Sequence, residues 1–373
     1  MSKKIKILFA FLVFWVALFV AWEWWQSYPK VRFSPPLNTT SRNEGLDSIL
    51  NQAMSTFLFP GSSLAIVKNG KVIYLNAFGY ENLNTKDPLT VESKIVVASV
   101  SKLFTALGLA IIQEEKGHLP NTPLNSMGMG IKVNSSNLSN LRPQDILSHE
   151  SRIRDKNFSE MIFSFSNSQD LYEWGEEFLN KPSTYESDSI IYSYADANFD
   201  LLGYLISVSA KMDFDSLMKS KVLIPSGMLN SEFITSWPIE DNNITGYQKT
   251  FLWKRIEPKR ISFPILPSPS SGLITTTKDM SLALIHLLRG EMGFFQKSLN
   301  WLTPEGESAP LGFQKTQING DEWIGHFGGQ AGYSSLLFYS KKADTGIFLF
   351  ANSRDKEDFR IEIARQAILY ISP

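Results

Sequence analysis

Val96-Val97-Ala98-Ser99-Val100-Ser101-Lys102-Leu103-Phe104-Thr105-Ala106-Leu107-Gly108-Leu109-Ala110-Ile111-Ile112 is apolar or small almost throughout. Only Ser99, Ser101, Lys102 and Thr105 interrupt it. The run is too long for an ordinary strand and holds no proline, so most of it reads as a buried helix. It is too short to cross a membrane, and it carries a lysine near its start. Ser99 and Lys102 are three residues apart, which on a helix places them on one face, a turn apart. Burial disfavours the charged form of a lysine, and a neutral amine can take a proton from a serine hydroxyl. The bland alternative is a helix start whose lysine snorkels to water. Spacing alone does not decide, because Ser27/Lys30, Ser216/Lys219 and Ser353/Lys356 share it. Those three lie in a tether or in polar segments. Only Ser99/Lys102 opens a long apolar helix, where an idle lysine is costly.

On the N-terminal side, Ser63–Val67 and Val72–Leu75 read as strands. Asn69-Gly70 between them supplies the positive φ angles of a type I′ hairpin turn. Glu44–Phe57 has helical spacing, with Leu46, Ile49, Leu50 and Met54 on one side. On the C-terminal side, residues 121–260 mix short helices with loops. Leu201–Ser209 and Phe214–Leu223 read as helical, ended by Pro225 and Gly227. Met280–Leu288 is another helix with Thr277 as its N-cap. Strands return at Gly332–Tyr339 and Gly346–Ala351, joined by a Lys341–Asp344 turn. A final helix covers Lys356–Tyr370. The expected fold is α+β: an antiparallel sheet built from both chain ends, with flanking helices and an all-helical lobe.

The 373 residues are 43% hydrophobic and 20% charged, with a formal net charge of -1. That balance gives no reason to expect nucleic acid as a partner. There are 0 cysteines, which excludes disulfides, thiolate metal sites and a cysteine nucleophile. His118, His149, His286 and His326 are scattered without zinc-site spacing, so neither metal nor other cofactor is expected.

The N-terminus reads as a membrane segment. Lys3, Lys4 and Lys6 precede an unbroken apolar run, Ile7–Trp22, about 24 Å long as a helix. Trp22, Trp24, Trp25 and Tyr28 extend it into the interface belt. The positive flank holds the N-terminus inside and sends the rest outward. No A-x-A cleavage pattern follows, which favours a retained anchor over a cleaved signal. The expected organisation is an anchor over 1–28, a Pro-, Asn- and Thr-rich tether over 29–43, which in composition begins at about Ser27, and one catalytic domain over 44–373.

No G-x-S-x-G elbow is present, which argues against an α/β-hydrolase, although a Ser-His-Asp triad stays possible by geometry. Ala98-Ser99-Val100-Ser101-Lys102-Leu103-Phe104-Thr105 resembles the nucleophile motif of class C β-lactamases and related esterases, in the serine β-lactamase and penicillin-binding-protein family. Further landmarks follow in that family's order. Pro60-Gly61 and the Asn69-Gly70 hairpin resemble its opening strands. Ile146–Ser151 resembles its "LLSHTSG" stretch. Tyr194-Ala195-Asp196, followed by Leu201-Leu202-Gly203, resembles its Tyr-x-Asn motif and the helix after it. Pro225–Met228 resembles "PLGM". Ser271-Gly272-Leu273 with Thr276 and Asp279 resembles "GGLxSTxxDL". His326-Phe327-Gly328-Gly329 resembles the third motif, Lys-Thr-Gly in β-lactamases and often His-x-Gly in esterases.

The resemblance implies roles. Ser99 attacks a carbonyl, and Lys102 and Tyr194 share proton transfer. The backbone N–H groups of Ser99 and Gly329 form an oxyanion hole. Asp196, His326, Phe327 and Gly328 line the substrate site. Read without the motif, Tyr194 is a core tyrosine and His326 a strand-end histidine.

The sequence also departs from the family. Asp196 replaces an Asn. An ionised Asp only accepts hydrogen bonds, and it can pair with Lys102 and hold it charged, moving the base role to Tyr194. His326-Phe327 replaces Lys-Thr and so removes a cation and a hydroxyl. Poor β-lactam and D-Ala-D-Ala turnover is therefore expected, with esters, or amides lacking a carboxylate there, preferred. Arg152 stands where a glycine is common, and Tyr185–Ile191 lacks the usual Pro-Gly approach to Tyr194. The expected function is an exported, membrane-anchored serine hydrolase with a small-molecule or cell-wall acyl substrate. The alternatives are a peptidoglycan DD-peptidase or D-amino-acid peptidase, and a non-catalytic envelope-binding member of the fold.

Overall fold

The computed structural model describes residues 2–28, 43–127, 138, 140–155, 168–182, 184, 192–238, 244–253, 255–289, 293–304, 309–354 and 358–372. The expectation for residues 185–191 lies outside them.

The helices are α1 (Lys3–Gln26), α2 (Glu44–Phe57), α3 (Ser101–Glu115), α4 (Pro143–Leu147), α5 (Leu171–Asn180), α6 (Asp196–Ala210), α7 (Phe214–Met218), α8 (Thr277–Leu288), α9 (Gln296–Leu302) and α10 (Phe359–Ile371). The strands used below are β1 (Gly61–Lys68), β2 (Lys71–Asn82), β3 (Asp87–Pro88), β4 (Gly246–Lys249), β5 (Ile256–Lys259), β6 (Gln314–Ile318), β7 (Asp321–Gln330), β8 (Tyr333–Ser340), β9 (Thr345–Ala351) and β10 (Ser353–Arg354).

Seven strands form one antiparallel sheet in the order β6-β7-β8-β9-β1-β2-β3. Strands from both chain ends thus meet where β9 pairs with β1, Leu349 opposite Leu64. The β1–β2 turn has Asn69 at φ 53° and Gly70 at φ 68°, the conformation an Asn-Gly pair adopts cheaply. Alternation along the strands feeds two cores. Leu64, Ile66, Leu336, Phe338, Ile347 and Leu349 face α2 and α10. Ala65, Val67, Leu337, Phe348 and Phe350 face the opposite way, into the larger cluster with α3, α6 and α8. Because helices cover both faces, β9 is buried at every position. The lobe of α3 to α7 and α9 lies against that second face, so α3 stands between sheet and helices. Its side chains Leu103, Phe104 and Leu107 are fully buried, and each contributes roughly 1.5–3 kcal/mol.

Several boundaries differ from expectation: strand β2 runs well past Leu75 to Asn82, and α6 starts five residues before Leu201. The helix after Val96 begins at Ser101, because Ala98–Val100 is a tight 3₁₀ turn. The cap of α8 is Thr276, whose side chain accepts from Asp279 N at 3.0 Å; Thr277 is already helical. The last helix starts at Phe359, capped by Asp358.

The junction after α1 differs too. Ser27 and Tyr28 are fastened to the β4–β5 hairpin and do not behave as the start of a leash. Tyr28 exchanges two backbone hydrogen bonds with Ile256, and Arg255 donates to Ser27 O at 2.6 Å.

Candidate active site

Ser99 sits in the 3₁₀ turn between the sheet side and α3. The residue before it, Ala98, has φ 48°, a left-handed conformation that costs a side-chain-bearing residue on the order of 1–2 kcal/mol. Hydrogen bonds hold that strain. Ser101 Oγ donates to Ala98 O at 2.6 Å and accepts from Leu273 N at 2.9 Å. The turn lifts Ser99 to the edge of the core while Lys102, one turn on, points inward.

Lys102 is 0% exposed. Its ammonium has three donors, and three acceptors meet them: Ser99 Oγ at 3.1 Å, Asp196 Oδ1 at 2.6 Å and Ser270 O at 3.0 Å. Burial pulls its pKa down, but the charge of Asp196 and the nearby Tyr194 oxygen outweigh burial and push it up. Lys102 therefore rests as an ammonium. A buried, neutral amine was one sequence expectation; the pairing with Asp196 gives the other one. A filled ammonium has no lone pair with which to accept a proton.

The acceptors are themselves held in place. Asp196 opens α6, where Ala195 provides no side-chain cap. Asp155, from a distant loop, does that work, accepting from Asp196 N at 3.1 Å and Ala197 N at 2.9 Å. Burial raises the Asp155 carboxyl above its usual range. Asp200, one turn after Asp196, accepts from Ser270 N at 2.9 Å and so fixes the carbonyl that Lys102 uses. Burial, then the charge of Asp196, push Asp200 up to about 7.

Tyr194 precedes α6 and is 40% exposed. Its ring centroid lies 5.1 Å from Lys102 Nζ and 4.4 Å from the ring of His149. His149 Nδ1 accepts from Ala195 N at 3.3 Å, which puts its proton on Nε2. Asn198 Nδ2 reaches the same nitrogen at 3.1 Å. Burial, then the Lys102 charge, lower His149 to about 4, so the imidazole is neutral. His149 and Arg152 both have positive φ, 58° and 65°. That conformation explains why a glycine suits the Arg152 position.

His326 is 2% exposed and lies behind the wall, its ring 6.5 Å from that of Tyr194. The expectation that it lines the cavity is not met. Its Nδ1 is 2.6 Å from Phe327 O, so it carries the proton, and Nε2 keeps its lone pair. Burial, then the Lys102 charge, lower it to about 3. Phe327 does line the cavity, packed on Phe338 and beneath Arg360. At Gly328 a Cβ would stand 2.1 Å from Val97 O and 2.2 Å from Ser335 Oγ, so only glycine lets β7 approach the Ser99 turn. A Cβ on Gly329 would meet nothing closer than Arg354 Nε at 3.7 Å.

The cavity has a volume of about 350 Å³, and Ser99, Tyr194, Gly328 and Gly329 all face it. Two arginines that the sequence reading missed complete the far wall. Arg360 is committed: it pairs with Asp358 and donates to Gly328 O at 2.6 Å and Ser335 O at 3.0 Å. The guanidinium of Arg354 has no ion pair among the described residues.

Residues 46–370 match the sequence model of the family described as Beta-lactamase. Protein flp of Staphylococcus aureus (strain MRSA252) is 23% identical over 334 residues, covering 84% of this chain and 64% of its own length. The chain thus spans a little under two thirds of that relative. A class C β-lactamase from Rhodobacter sphaeroides superimposes with a TM-score of 0.72 at 14% identity, covering 88% of this chain and 99% of its own. The D-amino acid amidase of Ochrobactrum anthropi SV3 gives 0.72 at 18% identity, again covering 88% and 99%. At these identities the two structures speak for the fold alone.

Proposed function

Because the chain belongs to the β-lactamase family, a family of serine hydrolases, we propose that it cleaves an ester or amide through an acyl-enzyme on Ser99. One observation carries the reading: a fully buried ammonium donates to Ser99 Oγ at 3.1 Å while Ser99 opens on the cavity.

The Ser99 oxygen bonds to the substrate carbonyl carbon, and the carbonyl π pair moves to its oxygen. The N–H groups of Ser99 and Gly329 receive that charge. The Ser99 hydroxyl proton moves to the Tyr194 oxygen while the Tyr194 hydroxyl releases its own proton, since Lys102 has no free lone pair. The proton so released passes on to the leaving oxygen or nitrogen as that bond breaks. Lys102 holds Ser99 in place and offsets the negative charge. Water then attacks the acyl carbon by the same route and releases the acid.

The third-motif position offers no cation and no hydroxyl, since His326 is neutral and buried and Phe327 is apolar. That favours esters, or amides without a carboxylate at that end. The exposed cation on Arg354 favours a second reading, a DD-peptidase or D-amino-acid peptidase whose substrate carries its carboxylate further out. Helix α1, 24 residues long with an unbroken apolar run over Ile7–Trp22, supports an anchored, exported domain with a substrate in the cell envelope.

Intact mass after a fluorophosphonate probe, with the adduct mapped, tests the nucleophile. Turnover of a short-chain nitrophenyl ester should fall at least about a thousandfold in Ser99→Ala. An adduct on another residue, or turnover that survives the substitution, would sink the proposal. Incubation with muropeptides, read by mass, separates the two substrate readings.

A further inference from the structure

The end of α1 and the tip of the β4–β5 hairpin form one surface with the character of a bilayer interface. Phe251 is 81% exposed and Leu252 48% exposed, side by side at the tip. Trp24 and Trp25, 52% and 85% exposed, lie at the end of α1. The ring of Trp24 meets that of Trp253 edge-on at 5.1 Å, and the Arg255 guanidinium lies 4.1 Å over Trp24. Glu23, otherwise an acid on an apolar helix, is buried here and accepts from the backbone N–H of Phe251 and Leu252. Aromatic side chains at the headgroup level, with cations beside them, are what a membrane surface binds.

We infer that the tip of the β4–β5 hairpin is a second membrane contact, inserted beside α1 into the headgroup region of the outer leaflet. The inference rests on the reading of α1 as a span. Glu23, Ser27, Tyr28 and Arg255 bind the hairpin to the helix end, so helix and hairpin meet the lipid together. The hairpin also reaches the cavity. Strand β10 pairs with β4, Arg354 opposite Gln248, three residues from Phe251. Three residues of strand span about 10 Å. The Arg354 wall therefore stands close to the lipid, and the domain has one fixed tilt on the membrane.

The chain's lack of cysteine permits single-site labelling of the full-length protein. Nitroxides at Phe251→Cys, Phe14→Cys and Leu229→Cys would be compared in nanodiscs of phosphatidylcholine and phosphatidylglycerol. Relative accessibility to oxygen and to a nickel chelate reads depth. The expected result is a deep label at 14, an aqueous label at 229, and at 251 an oxygen-to-nickel ratio several-fold above that at 229. A ratio at 251 equal to that at 229, with 14 deep, overturns the contact and leaves the span standing. An aqueous label at 14 overturns the span and the contact with it.

Discussion

The two walls of the cavity are built by opposite means. On the helical wall the Lys102 ammonium is fully matched: its three donors meet three acceptors, and two of those acceptors are fixed in turn by Asp155 and Asp200. On the sheet wall the cation and hydroxyl of the family motif are missing, and the arginine nearest Gly329 is left without an ion pair among the described residues. A matched network has one geometry, which is what a reaction centre needs. A charge left without an ion pair among the described residues is free to select a ligand. The helical wall should therefore govern the rate and the sheet wall should govern which substrate is held.

The strongest test of that division removes the centre of the helical wall. Lys102→Met keeps the stem and deletes the ammonium. Turnover of a nitrophenyl ester should fall by about 10²–10⁴-fold with KM little changed. Because Asp196 and Ser270 O lose their partner, thermal stability should fall as well. Fluorophosphonate labelling at the wild-type rate would break the comparison.

Asp196→Asn comes next, and its sign is informative. The Asp196 charge is the largest influence holding Lys102 up against burial. Without it, burial lowers the amine, and a neutral Lys102 becomes able to accept the Ser99 proton. The acid limb of the pH–rate profile should then report an amine, and acylation near neutral pH should rise about tenfold for each unit by which the amine approaches the working pH. A profile unchanged from wild type would show that Lys102 is not controlled by Asp196.

Much of the helical wall was legible in the sequence, because burial and chemistry agree there. A lysine at the start of an apolar helix is an anomaly that needs a partner, and Asp196 was the candidate. Asp200 carried a readable signal, since it lies four residues after Asp196 on one helix face. Arg354 carried none. It sits in a polar, charged stretch that leads into the expected Lys356–Tyr370 helix, and it reaches the site only through pairing with a strand more than a hundred residues earlier. The cap of α8 was misplaced by one residue because adjacent threonines are equivalent in sequence. Only the backbone distinguishes them, Thr276 being extended at φ -120°. Ser27 and Tyr28 read as tether by composition, while their partners lie in a distant hairpin.

The helical wall extends one layer further, to His149, and acid tests that layer. Its pKa is lowered to about 4, so the unfolded chain takes up the proton first as pH falls below the ordinary 6.5. The stability it contributes is complete above pH 6.5 and is lost between there and about pH 4, on the order of a few kcal/mol. His149→Asn keeps an acceptor for Ala195 N but cannot titrate. Its Tm should therefore decline less steeply than wild type over that window. Parallel declines would place the acid sensitivity elsewhere, with His326 the next group to examine, since it is lowered to about 3 by the same cause.

The smallest effect belongs to the sheet wall. Arg354→Gln removes the charge but keeps a polar side chain at the mouth. A charge-assisted contact of this kind contributes roughly 1.5–3 kcal/mol at most, less where water competes. For a substrate with a carboxylate beyond the scissile bond, KM should rise about tenfold while kcat holds. A neutral ester should show neither change. That split is what separates a selecting wall from a reacting one: a fall in kcat for both substrates would mean that Arg354 supports Gly329 and the Ser99 turn, and that the two walls work as one.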